Sequence, residues 1–127
     1  MRVRQSARLV VVDEREHVLL FKYEDATPLD PKRPNTPYWA TVGGGVDGDE
    51  SFEEAAEREL DEETGIRGAA IGPWLWTREK VFVFQGETLL AHERYYLVRV
   101  RDVTVRLDGL LPYEREVYRG HRWWAMI

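Results

Sequence analysis

The residues best suited to chemistry lie between positions 44 and 66, where glutamates are concentrated in one short stretch bounded by glycines. Ser51 and Glu54 form a capping box, in which a hydroxyl and a carboxylate each satisfy a free backbone N–H group at the start of a helix. Gly65 is typical of a left-handed helix stop. These signals predict a helix over residues 52–64.

Three carboxylates of this helix, those of Glu59, Glu62 and Glu63, fall on the same half of the helical wheel as its apolar residues. Three like charges about 6 Å apart repel by nearly 3 kcal/mol per pair at an effective dielectric constant of about 20. Protonation, a nearby cation or a bound metal must offset this repulsion. Clustered carboxylates are suited to Mg²⁺ or Mn²⁺, which also bind phosphate oxygens. The remaining acidic residues of the helix are expected to face solvent: Glu53, Glu54, Glu57 and Asp61.

The spacing of these residues resembles the Nudix box, written G-x5-E-x7-R-E-U-x-E-E-x-G-U, where U is a bulky aliphatic residue. Every fixed position of the box is filled, by Gly44, Glu50, Arg58, Glu59, Leu60, Glu62, Glu63, Gly65 and Ile66. The resemblance implies an α/β fold, a Nudix-type α/β/α sandwich with a mixed β-sheet. It also implies hydrolysis of the pyrophosphate bond in a nucleoside diphosphate linked to another group.

The resemblance also implies roles for individual residues. The metal ligands for Mg²⁺ or Mn²⁺ would be Glu59, Glu62, Glu63 and the backbone carbonyl of Gly43 or Gly44. Arg58 and Glu50 would orient these ligands. A glutamate would take the proton of the attacking water, and the candidates are Glu62, Glu63 and, outside the box, Glu93.

Glu93 is a candidate because Nudix enzymes often recruit one more glutamate from outside the box, as a metal ligand or general base. Alternation along a predicted strand places Glu93 on the same face as apolar residues, where an unpaired carboxylate is costly. The alternative for Glu93 is an ion pair with one of three arginines, Arg78, Arg94 or Arg99. Glu114 and Glu116, predicted to lie in a loop, are the second choice for this role.

The composition limits the class of protein. A chain of 127 residues with a net charge of −5 suits a single domain over residues 1–127. The acidic balance argues against a groove for long nucleic acid, although it allows a nucleotide whose charge a metal masks. The sequence shows neither an apolar run of membrane-spanning length nor a leader, so we expect a soluble cytoplasmic protein.

Apolar and β-branched runs predict strands at residues 3–12, 17–23, 38–42, 69–76, 79–84, 88–100 and 120–126. Hairpins are expected between the first two strands and across residues 85–87. Prolines at every third position predict a loop over residues 24–37. We interpret it as a flap beside the active site, with a polyproline segment that binds a partner as the alternative.

Several residues are candidates for binding the substrate: Arg78, Arg94, Trp39 and Tyr95. A tryptophan in a strand is more often part of the core than a ligand for a base. The simplest interpretation of four others is that they are core residues or aromatics packed on the sheet: Trp74, Trp76, Trp123 and Trp124. Arg4 and Arg8 are interpreted as solvated side chains rather than phosphate ligands, with contact to an anionic substrate as the alternative.

The end of the sequence departs from the family pattern. Nudix domains commonly have a helix after a strand like residues 120–126, and this helix is missing from the chain. Either the chain is truncated, or another element or a partner chain completes the layer. A sheet face with Trp123 and Trp124 uncovered would be a large apolar patch, which predicts a homodimer.

The substrate is left open among a nucleoside triphosphate, an oxidised nucleotide and a nucleotide sugar. The alternative to an enzyme is a non-catalytic Nudix-like domain that senses or binds a nucleotide. Such domains usually have a damaged box, and because the box is intact here, the sequence favours the enzyme.

Overall fold

The computed structural model describes residues 1–24, 37–84, 86–101 and 104–126. The elements follow one another as β1 (Arg2–Val12), β2 (His17–Tyr23), β3 (Tyr38–Gly45), α1 (Phe52–Thr64), β4 (Trp74–Phe84), β5 (Glu87–Arg99), α2 (Pro112–Val117) and β6 (Tyr118–Ala125). The predicted proline-rich flap falls almost entirely on residues 25–36, outside the described part of the chain.

The six strands form one mixed sheet in the order β4-β5-β1-β3-β2-β6. β1 pairs with β5 in parallel and with β3 in antiparallel orientation, which places it at the centre of the sheet. Its residues Ala7, Leu9 and Val11 are fully buried at alternate positions. This arrangement confirms the predicted α/β class with a mixed sheet.

Helix α1 begins and ends where the sequence predicts. The N–H group of Glu54 donates to Oγ of Ser51 and the N–H group of Ser51 donates to Oε1 of Glu54, both at 3.0 Å. Gly65 takes a left-handed conformation with φ of 76°, and its N–H group donates to the carbonyl of Asp61. The helix packs its apolar stripe on β1 and β3, and the stripe consists of Phe52, Ala55, Ala56 and Leu60. The capping signals therefore fix the ends of the helix, and the apolar stripe determines which side of it meets the sheet.

Two expectations about the strands need correction and a third is confirmed. The hairpin between β1 and β2 is limited to one pair, Val12 and Val18, because β3 lies between the two strands. The strands predicted at 69–76 and 79–84 are the single strand β4, which is irregular between Trp74 and Trp76. The hairpin between β4 and β5 is confirmed.

The C-terminal part also differs from expectation. Glu114 and Glu116 belong to helix α2 and not to a loop, and Pro112 occupies the first turn of that helix. Among the described residues, this second helix precedes β6 rather than following it. Trp123 packs against the core, and the ring of Trp124 meets the ring of Trp39 edge-on at 5.1 Å. Both tryptophans are half-buried, so they do not form the uncovered apolar patch from which the dimer was predicted. The dimer stays a prediction.

No helix in the described ranges combines the length and apolar character needed to cross a membrane.

Candidate active site

Three carboxylates meet where α1, β3 and α2 come together. Oxygens of Glu59, Glu63 and Glu114 all lie within 4.8 Å of one another. Glu59 and Glu63 stand one turn apart on α1 and are only 7% and 2% exposed. Like charges at this separation and depth require a counter-charge or bound protons.

Two glycines of β3 let these carboxylates lie directly against the backbone. The N–H group of Gly43 donates to Oε2 of Glu63 at 3.4 Å. A Cβ atom on Gly44 would stand 2.5 Å from Oε1 of Glu59, and one on Gly43 would overlap the carbonyl oxygen of Ala7. A side chain at position 44 would fill the space that the carboxylate of Glu59 occupies, and one at position 43 would collide with the backbone of β1.

Arg58 joins the glycine turn to the helix. Its guanidinium donates to both carboxylate oxygens of Glu50, at 2.8 and 2.9 Å, and to the carbonyl of Gly45 at 2.8 Å. Its Nη1 donates to Oε1 of Glu59 at 3.0 Å. These hydrogen bonds, with the N–H group of Asp47, hold the pKa of Glu50 below its usual value. The fork of donors matches the orienting role expected for Arg58 and Glu50.

The electrostatics of the cluster favour a bound cation. Burial and the charge of Glu59 raise the pKa of Glu63 well above its ordinary value, against the effect of Arg8 and the Gly43 N–H group. Burial also raises the pKa of Glu59, although Arg58 opposes the shift. A divalent cation would supply the missing positive charge, and a donor set of carboxylates suits Mg²⁺ or Mn²⁺. The residues therefore fit the metal that the sequence predicts.

Glu62 has a different environment from the two helix carboxylates with which it was grouped. Its Oε2 accepts a hydrogen bond from Nη1 of Arg58 at 3.2 Å, and its side chain is 31% exposed. The carboxylate that completes the cluster comes instead from Glu114. Of the residues predicted as metal ligands, the structure brings Glu59 and Glu63 together with the backbone of Gly43 and Gly44.

Glu93 lies on the other face of the sheet. It is opposite Ser6 in the register, whereas α1 packs over the neighbouring positions such as Ala7. Its carboxylate pairs with Arg78 at 3.6 Å, which is the ion pair that was the alternative for this residue. Glu116 is exposed on α2. Glu114 is therefore the additional glutamate that the geometry favours.

The other candidate binding residues make contacts of their own. The guanidinium of Arg94 lies between the rings of Phe52 and Trp74, at 4.0 and 4.2 Å from their centroids. Tyr95 stacks on Trp76 with ring centroids 4.8 Å apart. Trp74 and Trp76 are about half exposed, at 51% and 50%, so they are not core residues; the stacking of Trp76 on Tyr95 fits the alternative of an aromatic packed on the sheet.

Two residues interact electrostatically with the cluster, and the sequence did not assign either of them to it. Arg8 is half-buried and donates to Oγ1 of Thr41 at 3.1 Å and to the Thr41 carbonyl, so its interpretation as a solvated side chain is wrong. The feature that accounts for this position is the pairing of Arg8 with Gly43, which has no side chain to cover the arginine. Burial, followed by the charges of Glu63 and Glu114, raises the pKa of the Tyr23 phenol, which therefore lies beside the cluster.

Comparison with known proteins agrees with this geometry. The family model described as NUDIX domain matches residues 2–126. A Bacillus subtilis (strain 168) protein named "Putative 8-oxo-dGTP diphosphatase" is 42% identical over 65 residues, which are 51% of this chain and 37% of that protein. The match thus spans little more than a third of that relative's length.

Solved structures share the fold at lower identity. A MutT NUDIX hydrolase from Burkholderia pseudomallei is 24% identical, with a TM-score of 0.66 over 98% of this chain and 84% of its own. A MutT protein from Methanosarcina mazei Go1 is 23% identical, with a TM-score of 0.65 over 98% and 78%. A C. elegans Ap4A hydrolase is 19% identical, with a TM-score of 0.63 over 96% and 80%. At these identities the likeness shows the fold alone.

Proposed function

Because this chain belongs to the Nudix family, we propose that it is a Mg²⁺- or Mn²⁺-dependent pyrophosphohydrolase of nucleotides. The observation that supports the proposal is the buried cluster of Glu59, Glu63 and Glu114 against the glycine turn of β3. Its substrate would be a nucleoside diphosphate linked to another group, attacked by water at phosphorus.

The three clustered carboxylates would hold the metal, and the backbone of Gly43 and Gly44 lies close enough to contribute. A bound divalent ion neutralises charge on phosphate oxygens and lowers the pKa of water. Arg58 fixes the carboxylate of Glu59 by hydrogen bonding at 3.0 Å. Such a hydrogen bond holds a metal ligand in one orientation.

Glu62 is our proposed general base. Its carboxylate stands outside the cluster, is partly exposed and accepts a hydrogen bond from Arg58 at 3.2 Å. A carboxylate at the edge of the site can accept the proton of the attacking water. Glu93 serves this role less well because the sheet separates it from the helix α1.

Among the substrates left open by the sequence, an oxidised nucleotide is our first choice. The relative with 42% identity is named for 8-oxo-dGTP, although the match covers 37% of its length. The protein would act on such a nucleotide in the cytoplasm, and its oligomeric state is predicted to be a dimer.

The test is to incubate the protein with Mg²⁺ and a panel of nucleotides, including 8-oxo-dGTP, dGTP and a nucleotide sugar, and to measure the released monophosphate. Glu63→Gln keeps the shape of the side chain but removes its charge, so turnover should fall by orders of magnitude while the fold is kept. A wild-type protein that is stabilised by these nucleotides but releases no monophosphate would instead be a sensing domain.

A further inference from the structure

The register of the strands divides the side chains of the sheet between two unlike faces. Residues opposite one another on neighbouring strands share a face. One face packs against α1. The other face, which we call the basic face, includes Arg4, Arg8, Lys22, Arg78, Lys80 and Arg122. Its two described carboxylates, Glu87 and Glu93, are each paired with an arginine of the same face at 3.6 Å.

Aromatic rings alternate with these cations. Trp76 is 50% exposed and rests on Tyr95, with an angle of 18° between the rings. Trp39 is 40% exposed and contacts Trp124. The register runs from Trp76 through Tyr95 and Arg8 to β3, the strand of Trp39. Three strand spacings of about 4.8 Å separate the two residues by about 14 Å across the strands, and the four residues from Gly43 to Trp39 add about 14 Å along β3, so the two rings lie roughly 20 Å apart.

The cations also lie close to the rings. The guanidinium of Arg122 is 4.2 Å from the ring centroid of Trp124, and Nζ of Lys22 is 5.8 Å from that of Trp39. Arg4, Arg78, Lys80 and Arg122 are exposed. The acidic residues of α1 lie on the opposite side of the sheet, so the net charge of −5 averages two oppositely charged surfaces.

We propose that the basic face binds a short segment of single-stranded nucleic acid. Exposed aromatic rings on a sheet stack with unpaired bases, and cations beside them bind the phosphates. Helix α1 packs on the opposite face, and α2 contributes Glu114 to the cluster beside α1, whereas Trp39 and Trp76 of the basic face are exposed. This binding is independent of the proposed hydrolysis.

The test is fluorescence anisotropy of a labelled 12-nucleotide oligouridylate without a terminal phosphate, measured in EDTA so that the metal cluster is not engaged. We expect saturable binding that weakens as salt is raised from 50 to 200 mM. Trp76→Ala should weaken binding about five-fold or more with an unchanged salt dependence, because the ring on which a base stacks is removed. Trp76→Phe should keep most of the affinity.

Lys80→Glu and Arg122→Glu should weaken binding and reduce the slope of log K against log salt by about 0.7 for each phosphate that the variant no longer binds. Arg67→Glu and Arg106→Glu are the matched controls, since both arginines are exposed near the C-terminal end of α1 and should change binding much less. Circular dichroism checks that each variant is folded.

Three outcomes would overturn the proposal. The first is no binding by the folded wild-type protein at 50 mM salt. The second is equal affinity for a duplex of the same length, or equal weakening in the control variants. The third is a wild-type protein that binds no oligonucleotide but is a dimer in light scattering, together with a Trp76→Ala variant that is a monomer. This result would assign the basic face to contact with a second copy of the chain.

Discussion

A Cβ atom at Gly44 would come within 2.5 Å of Oε1 of Glu59, so the bare backbone of β3 and this buried carboxylate occupy adjoining space. At the next position, Gly45, the nearest atom to an added Cβ is 3.9 Å away, which is an ordinary contact. Neither glycine has a positive φ. The two positions therefore differ in what a methyl group meets and not in backbone strain.

Gly44→Ala should weaken Mn²⁺ binding by about 10- to 100-fold, because Glu59 must swing away from the cluster. The displaced group is the end of a flexible side chain, so the melting temperature should change little. Isothermal titration calorimetry and thermal unfolding measure the two effects. Gly45→Ala is the matched control, and an equal decrease of metal affinity in both variants would contradict the close approach of Gly44 and Glu59.

Glu114→Gln should lower Mn²⁺ affinity about tenfold or more, because it removes one of three anionic ligands. Glu116→Gln, two residues along the same short helix, changes an exposed carboxylate and should leave affinity unchanged. Glu93→Gln should also have little effect on metal binding. Weaker Mn²⁺ binding by Glu93→Gln, with unchanged Mn²⁺ binding by Glu114→Gln, would show that Glu93 and not Glu114 is the third metal ligand.

Local signals account for what the sequence predicted well. The bounds of α1 follow from the capping box at Ser51 and the left-handed stop at Gly65, both of which act within one turn of the helix. Alternation correctly placed Glu93 on the same face as Tyr95. It could not indicate which face of the sheet α1 covers, because that depends on the path of the chain between distant elements.

Long-range contacts account for what the sequence missed. Glu114 reaches Glu59 and Glu63 because the chain after β5 returns alongside α1, where the N–H group of Arg106 donates to the carbonyl of Thr64. No spacing within the sequence records that contact. Trp76 is exposed because β4 is an edge strand with a neighbour on one side only. Apolar character alone cannot distinguish an edge strand from a central one.

Arg58→Lys should lower the free energy of unfolding by about 1–3 kcal/mol, because a lysine cannot donate to both oxygens of Glu50 and to the Gly45 carbonyl together. Turnover should fall as well, since Glu59 would no longer be held in its orientation. Denaturant unfolding and steady-state kinetics measure these changes. Arg67→Lys alters an arginine with an 81% exposed side chain and should be neutral; similar decreases in the two variants would contradict a specific role for the fork of Arg58.

The metal-free protein should lose stability as pH rises above about 4.3, the ordinary pKa of a glutamate. The pKa of Glu63 and of Glu59 is raised in the folded protein, so the folded state holds protons that the unfolded state has released. Stability from these protons is complete below the unfolded pKa and is lost as pH passes through the raised one. Mg²⁺ should therefore raise the melting temperature more at pH 7.5 than at pH 5.5.

Glu63→Gln should flatten the pH profile of stability measured in EDTA and reduce the effect of Mg²⁺ on the melting temperature. Glu50, whose pKa is lowered, contributes equally in the wild type and the variant, so its effect cancels when the two profiles are compared. Parallel pH profiles for wild type and variant would show that Glu63 is not the group that titrates.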